Sequence, residues 1–304
     1  MNTALAQRAG RLIPSLIPLQ DMVDEAVAFL REHAPEEGFF VGFSGGKDSI
    51  VALELCRMAG VKHQAYYSCT RIDPPEMYRF IRHHYPDVTW LFPKMTFWEG
   101  IRKKSPPLRM MRWCCDVLKK DPSKHIPLKH RVMGIRAEES RLRAGRQRID
   151  DFKGKQILYK PIFTWREWHI WDFIDANGLP YPSLYEEGFD RIGCVVCPFI
   201  MGGNPERLRR HKERWPGIYK AFEAAVADWF MNYSTKKYRY SEKTIKEYLA
   251  AFYGGFVAPV KLSMPSKRCV TCTTWETTCS IPGRVNPLGP CNDAIQFNKA
   301  QEAR

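Results

Sequence analysis

The segment Phe39–Ser49, FFVGFSGGKDS, places Ser44, Gly45, Gly46, Lys47, Asp48 and Ser49 directly behind an apolar, aromatic run. Residues of these types gather around anions. Glycines permit positive φ and let backbone N–H groups converge into a nest, while a lysine adds a point charge and serines add hydroxyl donors. A helix beginning at Lys47 would turn its positive N-terminal end toward the same point. The loop is not a Walker A motif. That motif needs a glycine five positions before its Gly-Lys pair and Ser or Thr after the lysine, and here those positions hold Val41 and Asp48. Asp48 repels phosphate unless a cation intervenes, which makes Mg²⁺ its expected partner.

The second candidate chemistry is that of thiols. Of ten cysteines, eight fall in clusters. Cys114 and Cys115 are adjacent in RWCCDVLK, and Cys194 and Cys197 form GCVVCP after a gap of 78 residues. Four thiolates brought together bind zinc or an iron–sulfur cluster. An adjacent pair is a poor zinc knuckle, which favours iron–sulfur. Cys269, Cys272, Cys279 and Cys291, spaced x2, x6 and x11, suit a structural zinc site or a set of sulfur-carrying thiols. Cys56 and Cys69 stand alone and are expected in the core.

These residues need elements to position them. Strand-like runs recur at 38–43, 63–68, 88–92, 131–135 and 156–162, with helical patterns between most of them. DSIVALELCRMAG reads as a helix closed by Gly60. Such alternation predicts an α/β fold with a doubly wound, mainly parallel, Rossmann-like sheet. The expected organisation is an α/β nucleotide-binding domain over 1–200, a charged helical extension over 201–258 and a Cys-rich tail over 259–304.

The formal charge of +14 favours a polyanionic partner such as nucleic acid, although basic proteins of other kinds reach it too. Arg141, Arg143, Arg146 and Arg148 form one basic run, and Arg207, Arg209, Arg210, Lys212 and Arg214 form another. Trp98, Trp113, Trp165, Trp168 and Trp171 suit buried packing more than stacking on bases. No apolar run has the length of a membrane span, and arginines and prolines break the first twenty residues before a signal-peptide core develops. The expected location is the cytoplasm, whose reducing conditions favour metal over disulfide for clustered cysteines.

SGGKDS behind an apolar strand resembles the PP-loop of the adenine nucleotide α-hydrolase-like superfamily, which includes ATP pyrophosphatases and the phosphoadenosine phosphosulfate (PAPS) reductase-like enzymes. The resemblance implies that the loop holds the pyrophosphate end of ATP or the equivalent anion of a sulfonucleotide. GIRAEESRLR, from Gly134 to Arg143, resembles the sulfonucleotide-reductase signature Gly-x-Arg-x-x-Gln-Ser-x-x-Arg, with Glu139 in the Gln position. By that resemblance Arg136 and Arg143 bind the anionic part of the nucleotide or substrate, and Asp73 and Glu76 in TRIDPPEMYRF face ribose or base. The double Cys followed by Cys-x-x-Cys looks like the [4Fe–4S] pattern of adenylyl-sulfate reductases and of DNA phosphorothioation enzymes.

Together these segments imply a sulfur-metabolism enzyme. The leading expectation is ATP-dependent adenylylation of an acceptor, tRNA or DNA, followed by sulfur transfer from a donor such as a cysteine desulfurase. The alternative is reduction of a sulfonucleotide to sulfite with thioredoxin as partner. Against it, the Glu-Cys-Gly-Leu-His string that carries the reductase nucleophile does not occur in these 304 residues. A non-catalytic nucleic-acid-binding module is the third reading, which the intact SGGKDS disfavours.

Overall fold

In the computed structural model, which describes residues 18–109, 111–201 and 203–232 together with Glu247, Leu249, Phe252 and Tyr253, the run FFVGF forms β1 (Phe39–Phe43). It is flanked by α1 (Leu19–Glu32) and α2 (Lys47–Ala59). α1 turns Met22, Val23, Ala26, Val27, Phe29 and Leu30 inward at helical spacing, and α2 buries Ile50, Leu53 and Cys56. α2 stops at Gly60, whose φ of 65° closes the helix in the left-handed region. Each fully buried Leu, Ile or Phe on these faces contributes roughly 1.5–3 kcal/mol.

The chain divides into two compact units that interleave in sequence. The first takes the stretch ending at Cys69, Glu76–Phe92 and Ser123–Gly193; the second takes Thr70–Pro75, Pro93–Pro122 and the chain from Cys194 onward. The first unit holds a six-stranded sheet: β1, β2 (His63–Ser68), β3 (Thr89–Leu91), β4 (His130–Met133), β5 (Ile149–Asp151) and β6 (Ile157–Tyr159). The order is β3-β2-β1-β4-β6-β5. Every pairing is parallel except β5 with β6, where Ile149 faces Tyr159. α3 (Pro75–His84) joins β2 to β3, and α5 (Glu167–Ala176) follows β6.

β5 was not expected, because RIDD carries no apolar alternation. It is held by the fully buried Lys160, whose ammonium donates to the Asp150 carboxylate at 2.6 Å, and by a turn in which Gly154 N–H donates to Asp151 at 2.8 Å. β4 likewise buries a cation. Arg131 lies 4.3 Å from the Phe40 ring and donates to the Ser123 hydroxyl and carbonyl.

The second unit is helical where it is described. α4 (Phe97–Lys104), α6 (Pro205–Arg214) and α7 (Pro216–Asn232) carry it, and Pro216 opens a new helix where the sequence pattern ran on. Thr96 and Glu99 close a capping box at the start of α4. Arg102 of α4 pairs with Asp228 of α7 at 3.5 Å, and Phe97 stacks on Phe222. Most of the extension beyond 232 and the tail, with Cys269, Cys272, Cys279 and Cys291, lie outside the described residues.

The sheet order locates the site. From β1 the chain moves outward to β2 and β3, then crosses back to lay β4 on the other side of β1. The carboxyl ends of β1 and β4 therefore flank the point where the strand order reverses, the usual ligand position in open α/β sheets. The loop Ser44–Ser49 leaves one of those ends and Gly134–Arg136 leaves the other. They meet so closely that a Cβ on Gly134 would lie 2.4 Å from the Asp48 carbonyl oxygen and 2.9 Å from the Ser49 nitrogen. Both are backbone atoms, so relief requires moving the loop. Gly134→Ala is expected to lower stability by roughly 1–3 kcal/mol, read as a lower urea midpoint, and to weaken pyrophosphate binding in calorimetry. An alanine variant with wild-type values for both would show that the loop yields without cost.

Candidate functional sites

The loop after β1 is held by its own hydroxyls. Ser49 Oγ donates to the Gly46 carbonyl at 2.8 Å and accepts from the Ser44 N–H at 3.1 Å, and Ser44 Oγ lies 3.1 Å from Ser49 Oγ. Gly45 takes φ 73°, and a Cβ there would strike Met77 Cε at 2.6 Å, so glycine is required on both conformational and packing grounds. Lys47 N–H donates to the Tyr185 hydroxyl at 3.1 Å. Burial pushes the Tyr185 phenol pKa up, so the hydroxyl stays neutral.

The Lys47 side chain is buried at 5% exposure, yet its charge is answered on several sides. Nζ donates to the Asp190 carbonyl at 3.1 Å, pairs with Glu167 at 3.2 Å and lies 3.8 Å from the Asp48 carboxylate. Asp48 in turn accepts from Arg136 Nε at 2.5 Å, and Arg136 pairs with Glu138. Burial works against the Arg136 charge, but Asp48, Glu138 and Glu167 outweigh it and hold its pKa above the ordinary value. Glu167 stands in the first turn of α5, whose start is capped by His169 Nδ1 accepting from the Arg166 N–H at 2.8 Å. Glu138 also accepts from the Glu167 N–H at 2.6 Å. Two cations thus share three carboxylates beside the loop. The repulsion between Asp48 and phosphate, which implied Mg²⁺ at the sequence level, is met here first by Arg136.

Arg143 has an acid partner of its own. It pairs with Glu139 four residues earlier, and Glu139 also accepts the Arg136 N–H at 3.0 Å. A glutamine could make the backbone contact without cancelling the guanidinium charge. Glu139 makes the contact and cancels it.

The second unit gathers the thiols. Trp113 seats the Cys114–Cys115 turn: its indole N–H donates to the Ser105 carbonyl at 2.9 Å, and its ring lies where a Cβ on Gly100 would be, 2.1 Å from Cη2. The turn continues into five residues of π-helix, Asp116–Lys120, a local form frequent at functional sites. The Cys194–Cys197 segment is pinned by Val195, whose N–H donates to Ile72 at 2.8 Å and whose carbonyl accepts from Tyr219 at 3.1 Å.

Cys114 donates to Cys115, which raises the Cys114 pKa and lowers that of Cys115, and Cys194 and Cys197 add to the rise. Desolvation pushes Cys194 up to about 12, against the pull of Lys119. Cys194 and Asp73 in turn raise Lys119 above its usual value. Cys194 also donates to Thr70 at 3.6 Å, and Thr70 donates to Asp73 at 2.8 Å. Four cysteines from two motifs held in one unit are of a type that suits an iron–sulfur cluster or zinc. Among the described residues no three His, Cys, Asp or Glu side chains are drawn onto a common metal position.

The structure therefore assembles Ser44 to Ser49, Gly134 and Arg136 in the first unit, with Arg143 alongside but paired to Glu139, and Cys114, Cys115, Cys194 and Cys197 in the second. Asp73 is placed with Thr70 and Lys119 in the thiol group, and Glu76 lies in the first turn of α3. Cys56 and Cys69 are fully buried, as expected. Glu138, Glu167, Tyr185 and Lys119 were missed. Only tertiary packing brings the first three to the loop, since Glu167 and Tyr185 lie more than a hundred residues from Lys47. Lys119, four residues after Cys115, could have been found as a cation at helical spacing.

Residues 38–199, more than half of the chain, match the phosphoadenosine phosphosulfate reductase domain. The chain belongs to this family. Family relatives include an uncharacterized protein of Methanocaldococcus jannaschii, MJ0066, 32% identical over 198 residues that make up 60% of this chain and 41% of the relative. A second from that organism, MJ0973, is also 32% identical, over 58% of this chain and 44% of the relative. The chain thus spans less than half the length of these two. The adenosine 5'-phosphosulfate reductase of Staphylococcus haemolyticus is 27% identical over 51% of this chain and 68% of its own. Among solved structures, the PAPS reductase of Candida auris is 17% identical, covering 61% of this chain and 98% of that one at a TM-score of 0.45. Among the described residues no helix is long and apolar enough to cross a membrane.

The Glu139–Arg143 pair yields a direct test within the family framework. Glu139→Gln keeps the backbone contact and releases the guanidinium, so binding of adenylyl sulfate is expected to tighten about tenfold, the equivalent of ~1.4 kcal/mol. Calorimetric titration reads this. Unchanged affinity would mean that Arg143 does not reach the nucleotide.

Proposed function

We propose that this chain is a PP-loop enzyme of sulfur metabolism that adenylylates an acceptor with ATP and prepares it for sulfur transfer to a nucleic acid. The observation that carries the reading is Lys47, a buried ammonium beside a glycine-shaped loop at the switch point of the sheet. The acceptor oxygen attacks the α-phosphorus of ATP, the bond to the β-phosphate bridging oxygen breaks, and pyrophosphate departs. The terminal sulfur of a donor protein's cysteine persulfide, such as that of a cysteine desulfurase, then displaces AMP from the activated carbon, and a second donor thiol cleaves the resulting S–S bond, leaving C–SH on the acceptor and a disulfide on the donor.

This chain's residues serve the first step. The Gly45 N–H and the Lys47 ammonium stabilise charge on the departing pyrophosphate. Exchanging Glu167 and Asp48 for phosphate oxygens leaves Lys47 paired throughout. Arg136, held between Asp48 and Glu138, orients the loop carboxylate, and Mg²⁺ entering with the nucleotide would take Asp48 as its protein oxygen. Cys114, Cys115, Cys194 and Cys197 would hold a [4Fe–4S] cluster, which supplies sulfur binding or electron transfer when present. Lys119 offsets part of the negative charge that the thiolates bring.

A second reading, reduction of a sulfonucleotide to sulfite, is supported by the family itself and by the relatives named as adenosine 5'-phosphosulfate reductases. Glu139, where the reductase signature has Gln, adds a negative charge beside Arg143, which favours the first.

Pyrophosphate release from ATP, measured beside sulfite release from a sulfonucleotide, separates the two. Lys47→Ala is expected to lower pyrophosphate release by at least about a hundredfold with an unchanged circular dichroism spectrum; retained turnover would count against the loop. Anaerobically purified Cys197→Ser is expected to lose most of its iron and acid-labile sulfide. Wild-type protein that contains zinc and no sulfide would remove the cluster from the proposal.

A further inference from the structure

We infer that Glu167 is a positioning residue that acts through Lys47: its carboxylate holds the place of a phosphate group on the ammonium, yields it when ATP enters, and reclaims it to expel pyrophosphate. This role rests on the adenylylation proposed above and assigns the residue that clears the loop after the first step. The donors of the Lys47 ammonium are already directed at protein oxygens. Nζ lies 3.1 Å from the Asp190 carbonyl, 3.2 Å from Glu167 Oε1 and 3.8 Å from the Asp48 carboxylate. A phosphate oxygen that comes into contact with Nζ therefore competes with an acid of this chain.

Of the two acids, Glu167 is the one built to move. Asp48 is fixed from several directions. Its carboxylate accepts from Arg136 Nε at 2.5 Å, it stands in the first turn of α2, and Gly134 packs against its carbonyl. When a ligand takes the ammonium, Asp48 stays with Arg136. Glu167 is anchored through its backbone instead, its N–H donating to Glu138 at 2.6 Å at the start of α5. Its side chain is 35% exposed, and among the described residues its ion partner is Lys47. Turning that side chain toward water breaks one ion pair and leaves the helix start in place. Its charge is also felt at Arg136 and at the Tyr185 hydroxyl, the groups that hold Asp48 and the Lys47 N–H.

Pyrophosphate is the product that such a loop retains. The Gly45 N–H and the buried ammonium, which stabilise its charge as it departs, go on holding it afterwards. A carboxylate tethered beside the ammonium competes at the effective concentration its tether sets. It therefore weakens every ligand that uses Nζ, and it takes up the cation as pyrophosphate leaves, so that Lys47 is never buried without a partner.

Calorimetric titration of the full chain with inorganic pyrophosphate, without Mg²⁺, tests this. Glu167→Gln keeps the backbone contact to Glu138 and removes the charge, so pyrophosphate is expected to bind roughly tenfold more tightly, within the span of coupled neighbouring charges. Pyrophosphate added to the turnover assay should inhibit that variant more strongly by the same factor. A residue that only supported the fold would lower the melting temperature and tighten no ligand. Glu167→Gln is expected to melt below wild type, because Lys47 lacks its partner, and saturating pyrophosphate should restore the difference. Glu167→Asp, whose shorter carboxylate reaches the ammonium less well, should fall between the two in affinity. In a Lys47→Gln background, Glu167→Gln should leave pyrophosphate affinity unchanged. Weaker or unchanged binding in Glu167→Gln alone, or equal tightening with and without Lys47, would overturn the role. Pyrophosphate release from ATP by the wild-type chain keeps the two readings apart. Release with no tightening in Glu167→Gln removes this role and leaves the adenylylation; tightening with no release leaves the exchange at Lys47 and removes the adenylylation.

Discussion

A buried lysine charge organises the first unit. An ammonium taken out of water costs several kcal/mol unless other groups replace its hydration, and Lys47 at 5% exposure draws in the Asp190 carbonyl, Glu167 and Asp48. Each of those groups comes from a different part of the chain. Their convergence ties the start of α5 and the loop before Gly193 to the end of β1. Arg136 extends the arrangement, since the acids that neutralise Lys47 would otherwise leave the loop with excess negative charge. Such a network favours exchange: an incoming polyphosphate can take the place of the carboxylates, and the buried cation is never left alone.

The thiol group in the second unit faces the opposite electrostatic problem. A hydrogen bond to Cys115 raises the Cys114 pKa and desolvation raises that of Cys194, so both resist ionisation. Lys119 relieves part of it. The π-helical turn after Cys115 and the pinning of Val195 show how the backbone meets the demand, with Trp113 filling the space that Gly100 leaves.

Much of the first unit was legible in the order of residues. The apolar runs of β1 and β2 are short, β-branched or aromatic, and bounded by polar turns, so their period and length admit few alternatives. β5 was hidden because its stability comes from Lys160 and Asp150 inside the sheet edge, a polar interaction that carries no periodicity. The role of Glu139 shows a subtler limit. Its departure from the family signature is visible by inspection, yet whether the added charge faces substrate, solvent or Arg143 depends on a side-chain direction that spacing does not set.

By itself, the sequence determined the α/β class, the family to which SGGKDS points and the burial of Cys56 and Cys69. These depend on local periodicity, on glycine's conformational freedom and on residue chemistry, all of which act within a few positions. Tertiary structure alone decided which distant acids answer Lys47, that Asp73 sides with the thiols, and that Phe199 lies against two arginines. Charges and ring faces act through space, and the chain brings their owners together only when strands and helices pack.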